Sequence, residues 1–452
     1  MPLNPPLPPT RIDIPYLEDS EAYFKQLKPL PFRIWLDSGR TKSDNTRFDI
    51  LSAAPVKVME SDSLQHIEEH AKALFSDTDV SNQDDCPFPG GVIGYLEYEA
   101  LHAHYALAGK GTGHWAFFDW AIVQDHNLKH SYAIFHPKWR SSERDQRLDV
   151  LLNGECASTV ETNHLSPPVK VTPFQKDTTY NDYQRAFEKI KNYILSGDCY
   201  QINFAQRFSA KFQGDASEAY RYLRHILPGP YSSFMDFGSH QILSFSPEQF
   251  ISIKGDNAQT RPIKGTTGRG DDQKEDQRLA DDLMQSEKNR SENLMIVDLL
   301  RNDFSKNCVP YSVKVPTLFS LESYANVHHL VSTVTGKIRP EVSHAEFISA
   351  CFPGGSITGA PKKRAMEIID ELEDHARKIY CGSIISMGAN GRSESNIAIR
   401  TLLVEGENIF CWGGGGIVAD STLAEEYTES IQKVRVLMEA LEGANSRLGD
   451  VD

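Results

Sequence analysis

Positive charge is the first thing this sequence is short of. Its 47 Lys and Arg are outnumbered by 62 Asp and Glu, for a formal net charge of −15. Nucleic-acid phosphates demand a basic face, so nucleic-acid binding is excluded as the chain's general role. A small anion is not excluded, since a basic pocket can sit within an acidic shell. Long apolar runs are also missing. None reaches the roughly 18 residues a membrane span requires. The proline-rich stretch from Met1 to Pro9 has neither the basic nor the apolar region of a secretory leader. Paired cysteines are missing too. Seven are scattered (Cys86, Cys156, Cys199, Cys308, Cys351, Cys381 and Cys411), an odd number with no CxxC spacing. That pattern excludes a disulfide framework and a zinc site and fits reduced thiols. The expectation is a cytoplasmic protein with no membrane segment.

What is present is the composition of an ordinary globular chain of 452 residues, 40% hydrophobic and 24% charged. Ile34-Trp35-Leu36 and Phe48-Asp49-Ile50-Leu51 read as strands around a polar turn. Gly91 to Tyr95, Trp115 to Phe118 and Ser131 to Phe135 read as further strands. Residues 157–178, rich in Ser, Thr and Pro, predict a linker. It divides an N-terminal subdomain, 1–156, from a second region, 179–442, and a tail covers 443–452. Thr178 or Thr179 can cap a helix bearing Tyr183, Phe187, Ile190 and Ile194, ending at Gly197. Alternation then places Tyr200, Ile202, Phe204 and Phe208 on one face of a strand, with Gln201, Asn203 and Arg207 on the other. Leu294-Met295-Ile296-Val297 predicts a buried helix begun by Glu292. Pro361 suits the first position of another helix. Tyr427, Ile431, Val434, Met438 and Leu441 mark a final one.

Four patterns could carry chemistry, although each alone also fits a solvated face. Ser246-Pro247-Glu248 ends a strand, and a carboxylate there becomes a general acid if burial raises its pKa. Lys264 precedes a glycine in Arg261-Pro262-Ile263-Lys264-Gly265-Thr266, and desolvation would make its amine a nucleophile. Glu426 and Glu429 stand i, i+3 on the final helix with Lys433 a turn further. Together with Glu292 they offer the oxygen ligands Mg2+ prefers. Glycine-rich turns at 352–362 and 413–416 suit anion binding, but neither has the Gly-Lys-Ser/Thr of a nucleotide loop. Arg400 could clamp a carboxylate.

In this order the motifs resemble the chorismate-utilising enzyme family. They comprise Gly197 to Asn203, Ser246-Pro247-Glu248, Arg261 to Thr266, Glu292 to Asp303, His328 to Ser332, the 352–362 turn, Ile399-Arg400-Thr401, Gly414 to Ser421 and Glu426-Tyr427-Thr428-Glu429. The resemblance spans roughly residues 176–442. It implies an α+β fold, two packed antiparallel β-sheets flanked by helices, with chorismate and Mg2+ in a cleft. It implies Glu292 and Glu429 as Mg2+ ligands with Glu426 beside them. Arg400, Tyr380, Lys433 and the backbone at Gly414, Gly415 and Gly416 would hold the substrate carboxylates, and Thr358 and His329 would lie near the ring. Asn289 departs from the pattern, because many relatives place an acid there.

Two residues separate the branches of that family. Lys264 stands where the anthranilate-forming members have alanine, and it resembles the members that aminate chorismate at C4. Gln201 stands where the water-adding members have a lysine base, a role glutamine cannot fill. The expected product is therefore 4-amino-4-deoxychorismate, a precursor of p-aminobenzoate and folate, with anthranilate formation as the alternative. Lys264 would act as nucleophile and Glu248 as acid. No cysteine lies in a glycine-rich elbow, so a separate glutamine amidotransferase subunit is expected to supply ammonia. Ser38, Asn45, Thr46, Arg47 and Phe48, with Pro230, Tyr231 and Ser232, correspond to a pocket for L-tryptophan in related enzymes; an ordinary sandwich core is the other reading.

Overall fold

The computed structural model describes residues 7–39, 46–76, 78–79, 85–107, 109–137, 168–324 and 327–443. Two antiparallel sheets dominate them, one of 13 strands and one of 10. In the larger sheet Ile34–Asp37 pairs with Phe48–Ser52, as their spacing predicts. It also pairs with Tyr231–Asp236. The order then runs through His240–Ser246, Thr401–Glu405, Asn408–Ile417 and Gln201–Gln213. In the smaller sheet Ile263–Gly268 lies beside Val327–Lys337. Asn257–Arg261, Gln249–Lys254, Arg392–Asn396, Ser383–Gly388 and Gly91–Leu96 follow.

Alternation along these strands builds two cores. Ile242 and Leu403 join Val92, Trp115, Phe250 and Ile385 between the sheets. Their neighbours Leu243, Leu402 and Val404 face the other way. There they meet Tyr220 and Leu223 of one helix and Val434, Leu437 and Leu441 of the last helix, Leu423–Glu442. Both sheets take strands from either side of residues 157–178, so hydrogen bonding and packing cross that break in composition.

Three local expectations shift. The helix containing Glu292 starts earlier, at Glu287–Asn307, because Ser286 caps it by accepting from the Asn289 N–H at 3.3 Å. Pro361 is the residue before helix Lys362–Leu372 rather than its first position. The strand Gln201–Gln213 is buried on both faces through Gln206, while Tyr200, just outside it, is exposed. On its polar face Asn203 lines a cavity and the Gln201 amide packs against Gly416.

Candidate active site

A cavity of about 530 Å³ gathers most of the expected residues: Glu248, Lys264, Glu292, His329, Tyr380, Arg400, Gly414, Gly416, Glu426, Glu429 and Lys433 all line it. Lys264 is aimed there by the backbone. Ile263 pairs with Val331 and Thr266 with His329, so two residues, Lys264 and Gly265, oppose one. Such a bulge re-aims a side chain. Gly265 has φ +91°, and a Cβ on it would sit 3.0 Å from Asn289 Cγ, so the bend requires glycine. Lys264 Nζ donates to the Ser356 carbonyl at 3.2 Å. Burial lowers its pKa, partly opposed by the charge of Glu248. Glu248 is buried, and that burial raises its pKa, while the Ser356 hydroxyl donates to Oε1 at 2.7 Å. An acid that tends to keep its proton thus stands near an amine that tends to lose one.

The opposite wall carries charge without partners. The Arg400 carbonyl accepts from the Phe245 N–H at 3.0 Å, but its guanidinium makes no hydrogen bond or ion pair with the described residues, and burial lowers its pKa. Its φ of +50° is in the left-handed region, which costs a non-glycine residue about 1 kcal/mol or more. A strained guanidinium at a cavity wall, with no partner among the described residues, is suited to pair with an anion. Burial, with Arg400 adding to it, pushes His329 down to about 4, so its ring is neutral at physiological pH. Its Nδ1 lies 2.8 Å from Thr266 Oγ1. Tyr380 stacks parallel to Trp412 at 6.3 Å.

The last helix is brought close by glycine. A Cβ on Gly413 would lie 1.9 Å from the Ser430 carbonyl, and one on Gly415 would lie 2.7 Å from Glu426 Oε2. Beyond Cys411 the strand pairs only with Gln201–Gln213, which leaves its other edge to the cavity. Lys433 reaches the Gly414 carbonyl at 2.9 Å and Glu429 at 2.6 Å. Burial pushes the Glu429 carboxyl up, but Lys433 prevails and holds it low. Glu426 is raised by burial; its Oε1 accepts from Ser421 at 2.6 Å, and its buried Oε2 has no hydrogen-bond partner. The Glu292 carboxylate makes no hydrogen bond or ion pair with the described residues. Among those residues no three carboxylates, imidazoles or thiols converge as a closed metal cage. A buried carboxylate oxygen with no partner among the described residues, in a cavity lined by two further glutamates, still fits Mg2+, which keeps waters and takes substrate oxygens.

Thr358 is fully buried, and its hydroxyl donates to the Gly354 carbonyl at 3.1 Å, within the turn rather than into the cavity. Gly415 also lies off the wall, against Glu426. Ser356 and Asn203 do line the cavity and were not singled out by pattern. Asn203 Nδ2 is buried without an acceptor. Nothing in their spacing distinguishes them from Thr358 or Gln201.

A second cavity, about 320 Å³, is bounded by Ser38, Arg47, Phe48, Pro230, Tyr231 and Ser232, as expected. Ile384, Ser386, Glu394 and Asn396 of the other sheet complete it. Thr46 is buried but not among its lining residues, and Asn45 lies outside the described residues.

The sequence profile of chorismate binding enzymes matches residues 32–439. The chain belongs to that family. It is 36% identical to aminodeoxychorismate synthase component 1 of Escherichia coli, covering 96% of this chain and 99% of the relative. It is 37% identical to the same component of Salmonella typhimurium, again over 96% and 99%. The crystal structure of anthranilate synthase component I from Streptococcus pneumoniae superposes with a TM-score of 0.77 at 30% identity, covering 88% of this chain and 93% of that one.

Proposed function

We propose that this chain aminates chorismate at C4 with ammonia, giving 4-amino-4-deoxychorismate for p-aminobenzoate and folate synthesis. The observation that carries this is Lys264, bent into the cavity by its bulge, with Glu248 held nearby through Ser356. Arg400, with the Gly413–Gly416 strand edge and Lys433, takes the substrate carboxylates. Glu292 and Glu429, with Glu426 beside them, would hold Mg2+, which when bound would neutralise the ring carboxylate and draw electron density from the ring.

The neutral Lys264 amine forms a bond to C2. The ring double bonds shift, and the C4 oxygen leaves as water with the proton of Glu248. Ammonia then bonds to C4, the double bonds shift back, and the C2–N bond breaks to return Lys264 as a free amine. The proton lost by the new ammonium returns to Glu248. Two allylic steps replace one hard displacement and fix the face of attack. Incubation with chorismate, Mg2+ and ammonium salt tests this: aminodeoxychorismate supports it, whereas anthranilate or no product refutes it. Without ammonia, mass spectrometry should find an adduct on Lys264.

The six described cysteines are all buried, which suits a chain that leaves glutamine hydrolysis to a separate amidotransferase subunit. Glutamine should support no turnover by this chain alone, and glutamine-dependent turnover would refute that arrangement. A cytoplasmic setting is part of the same reading; among the described residues no helix is long and apolar enough to cross a membrane. The second cavity takes L-tryptophan in this proposal. Burial pushes the Glu394 carboxyl on its wall up to about 7, and the Ser252 hydroxyl donates to it at 2.7 Å, which offers an acceptor for a ligand's ammonium. Calorimetric titration with tryptophan checks it, and absence of binding would count against the pocket.

A further inference from the structure

We propose that Ser356 is a positioning residue: it holds Lys264 by its carbonyl and Glu248 by its hydroxyl, and so keeps the two from closing into an ion pair. The inference rests on the reaction assigned above. Both side chains line one cavity and attract each other, yet no ion pair joins them. The Ser356 carbonyl accepts from Lys264 Nζ at 3.2 Å, and the Ser356 hydroxyl donates to Glu248 Oε1 at 2.7 Å. The Ser356 hydroxyl itself draws the Glu248 carboxyl down against the effect of burial, but an ammonium in direct contact would favour the carboxylate further and would hold its own proton. A carboxylate has no proton for a leaving hydroxyl, and an ammonium has no lone pair for C2. The proposed chemistry needs the opposite protonation of both groups.

The turn that carries Ser356 is fixed on either side of it. The Thr358 hydroxyl donates to the Gly354 carbonyl at 3.1 Å. Gly355 packs so closely on the helix Glu287–Asn307 that a Cβ would lie 2.5 Å from Leu299 Cδ2. The Ile357 carbonyl accepts from the buried Arg377 at 3.0 Å, and Glu373 anchors Arg377 at 2.6 Å. The Asn203 N–H donates to the Thr358 carbonyl at 2.8 Å. These neighbours spend their polar groups on the turn itself. Ser356 turns both of its own toward the two reacting side chains. Lys433 also faces Glu248 and Lys264, while Glu292 and Glu429 face Lys264. Lys433 is already engaged by Glu429 at 2.6 Å.

The test compares the full chain with Ser356→Ala and Ser356→Thr, using ammonium salt as nitrogen source. Losing the hydroxyl should lower kcat about 10- to 100-fold, with KM for chorismate changed less than about twofold. Threonine, which keeps the hydroxyl, should restore most of kcat. In Ser356→Ala the closed pair favours the unproductive protonation state, so kcat against pH becomes a lower and wider bell. A second arm needs no turnover: acylation of Lys264 by acetic anhydride, read by peptide mass spectrometry across pH. Its midpoint should move upward in Ser356→Ala. An alanine variant with wild-type kcat, a loss confined to KM, or an unmoved acylation midpoint overturns the proposal. Absence of aminated product from the wild type would instead refute the assigned reaction, and the acylation arm would still decide the spacing.

Discussion

The two cavities differ in how their charges are held. Around the smaller one, each acid has an internal partner. Asp37 accepts from Arg224 at 2.7 Å, Asp49 from the Ser38 hydroxyl at 2.7 Å, and Asp125 from Arg47 at 2.7 Å. Around the larger one, the Arg400 guanidinium and the Glu292 carboxylate have no partner among the described residues, and Glu426 keeps an oxygen with none there. Unpaired charge held partly out of water is costly and persists where a ligand completes it. Matched charge shapes a wall without demanding an ion. This contrast supports the proposed reading, in which the larger cavity would take a doubly charged acid with a cation and the smaller one a molecule with no net charge.

That contrast can be broken by experiment, most severely at the larger cavity. Lys264→Ala should cut ammonia-dependent product formation about a thousandfold or more, measured by chromatography of the product. Glu248→Gln, which cannot donate the leaving proton, should lower kcat about 100- to 10,000-fold and flatten the alkaline limb of the pH profile. That limb belongs to a carboxyl whose pKa burial has raised, so wild-type activity falls as pH climbs through it. Arg400→Gln should raise KM for chorismate at least about thirtyfold, the effect of leaving a carboxylate unmatched. An unchanged KM would mean that the unpaired guanidinium is not the anion site.

Effects at the smaller cavity should be milder. Phe48→Ala should weaken tryptophan binding about tenfold by calorimetry. Arg47→Ala should cost about 1 kcal/mol at neutral pH, seen in thermal unfolding. Burial raises the Asp125 carboxyl, but its bonds to Arg47 prevail and hold it below the ordinary range. That stabilisation is complete above the unfolded value of about 3.9 and is lost as pH falls through the lower folded value. The gap between wild type and Arg47→Ala should therefore close in acid. A gap that persists there would assign Arg47 to packing over Phe48, whose ring centre lies 4.5 Å away.

Residues that repeat with strand or helix period were legible before any coordinates. Ile34 to Leu36 and Phe48 to Leu51 pair as their turn suggests, and Val434 and Met438 face the core their spacing marks. The site residues became legible through order and motif. Lys264 is an example: its pattern alone fits a solvated lysine, and only the bulge explains its aim. Ser356 stayed hidden because its role depends on the direction of one hydroxyl within a turn, which no periodicity encodes. The far wall of the smaller cavity stayed hidden for another reason. Glu394 and Asn396 lie more than 300 residues from Phe48 in the chain and meet it only when the sheets pack.

The crossing of strands over residues 157–178 has a consequence for how the chain is made. Ile34–Asp37 must wait for Tyr231–Asp236, and Gln201–Gln213 must wait for Asn408–Ile417. Pairings so distant in sequence are slow to form, because a long loop must close before any contact rewards it. A nascent chain on the ribosome therefore carries sheet edges that cannot be covered until residues 408–417 emerge. The strand that walls the substrate cavity is also the one that seals the fold, so protection from aggregation and catalytic competence arrive together.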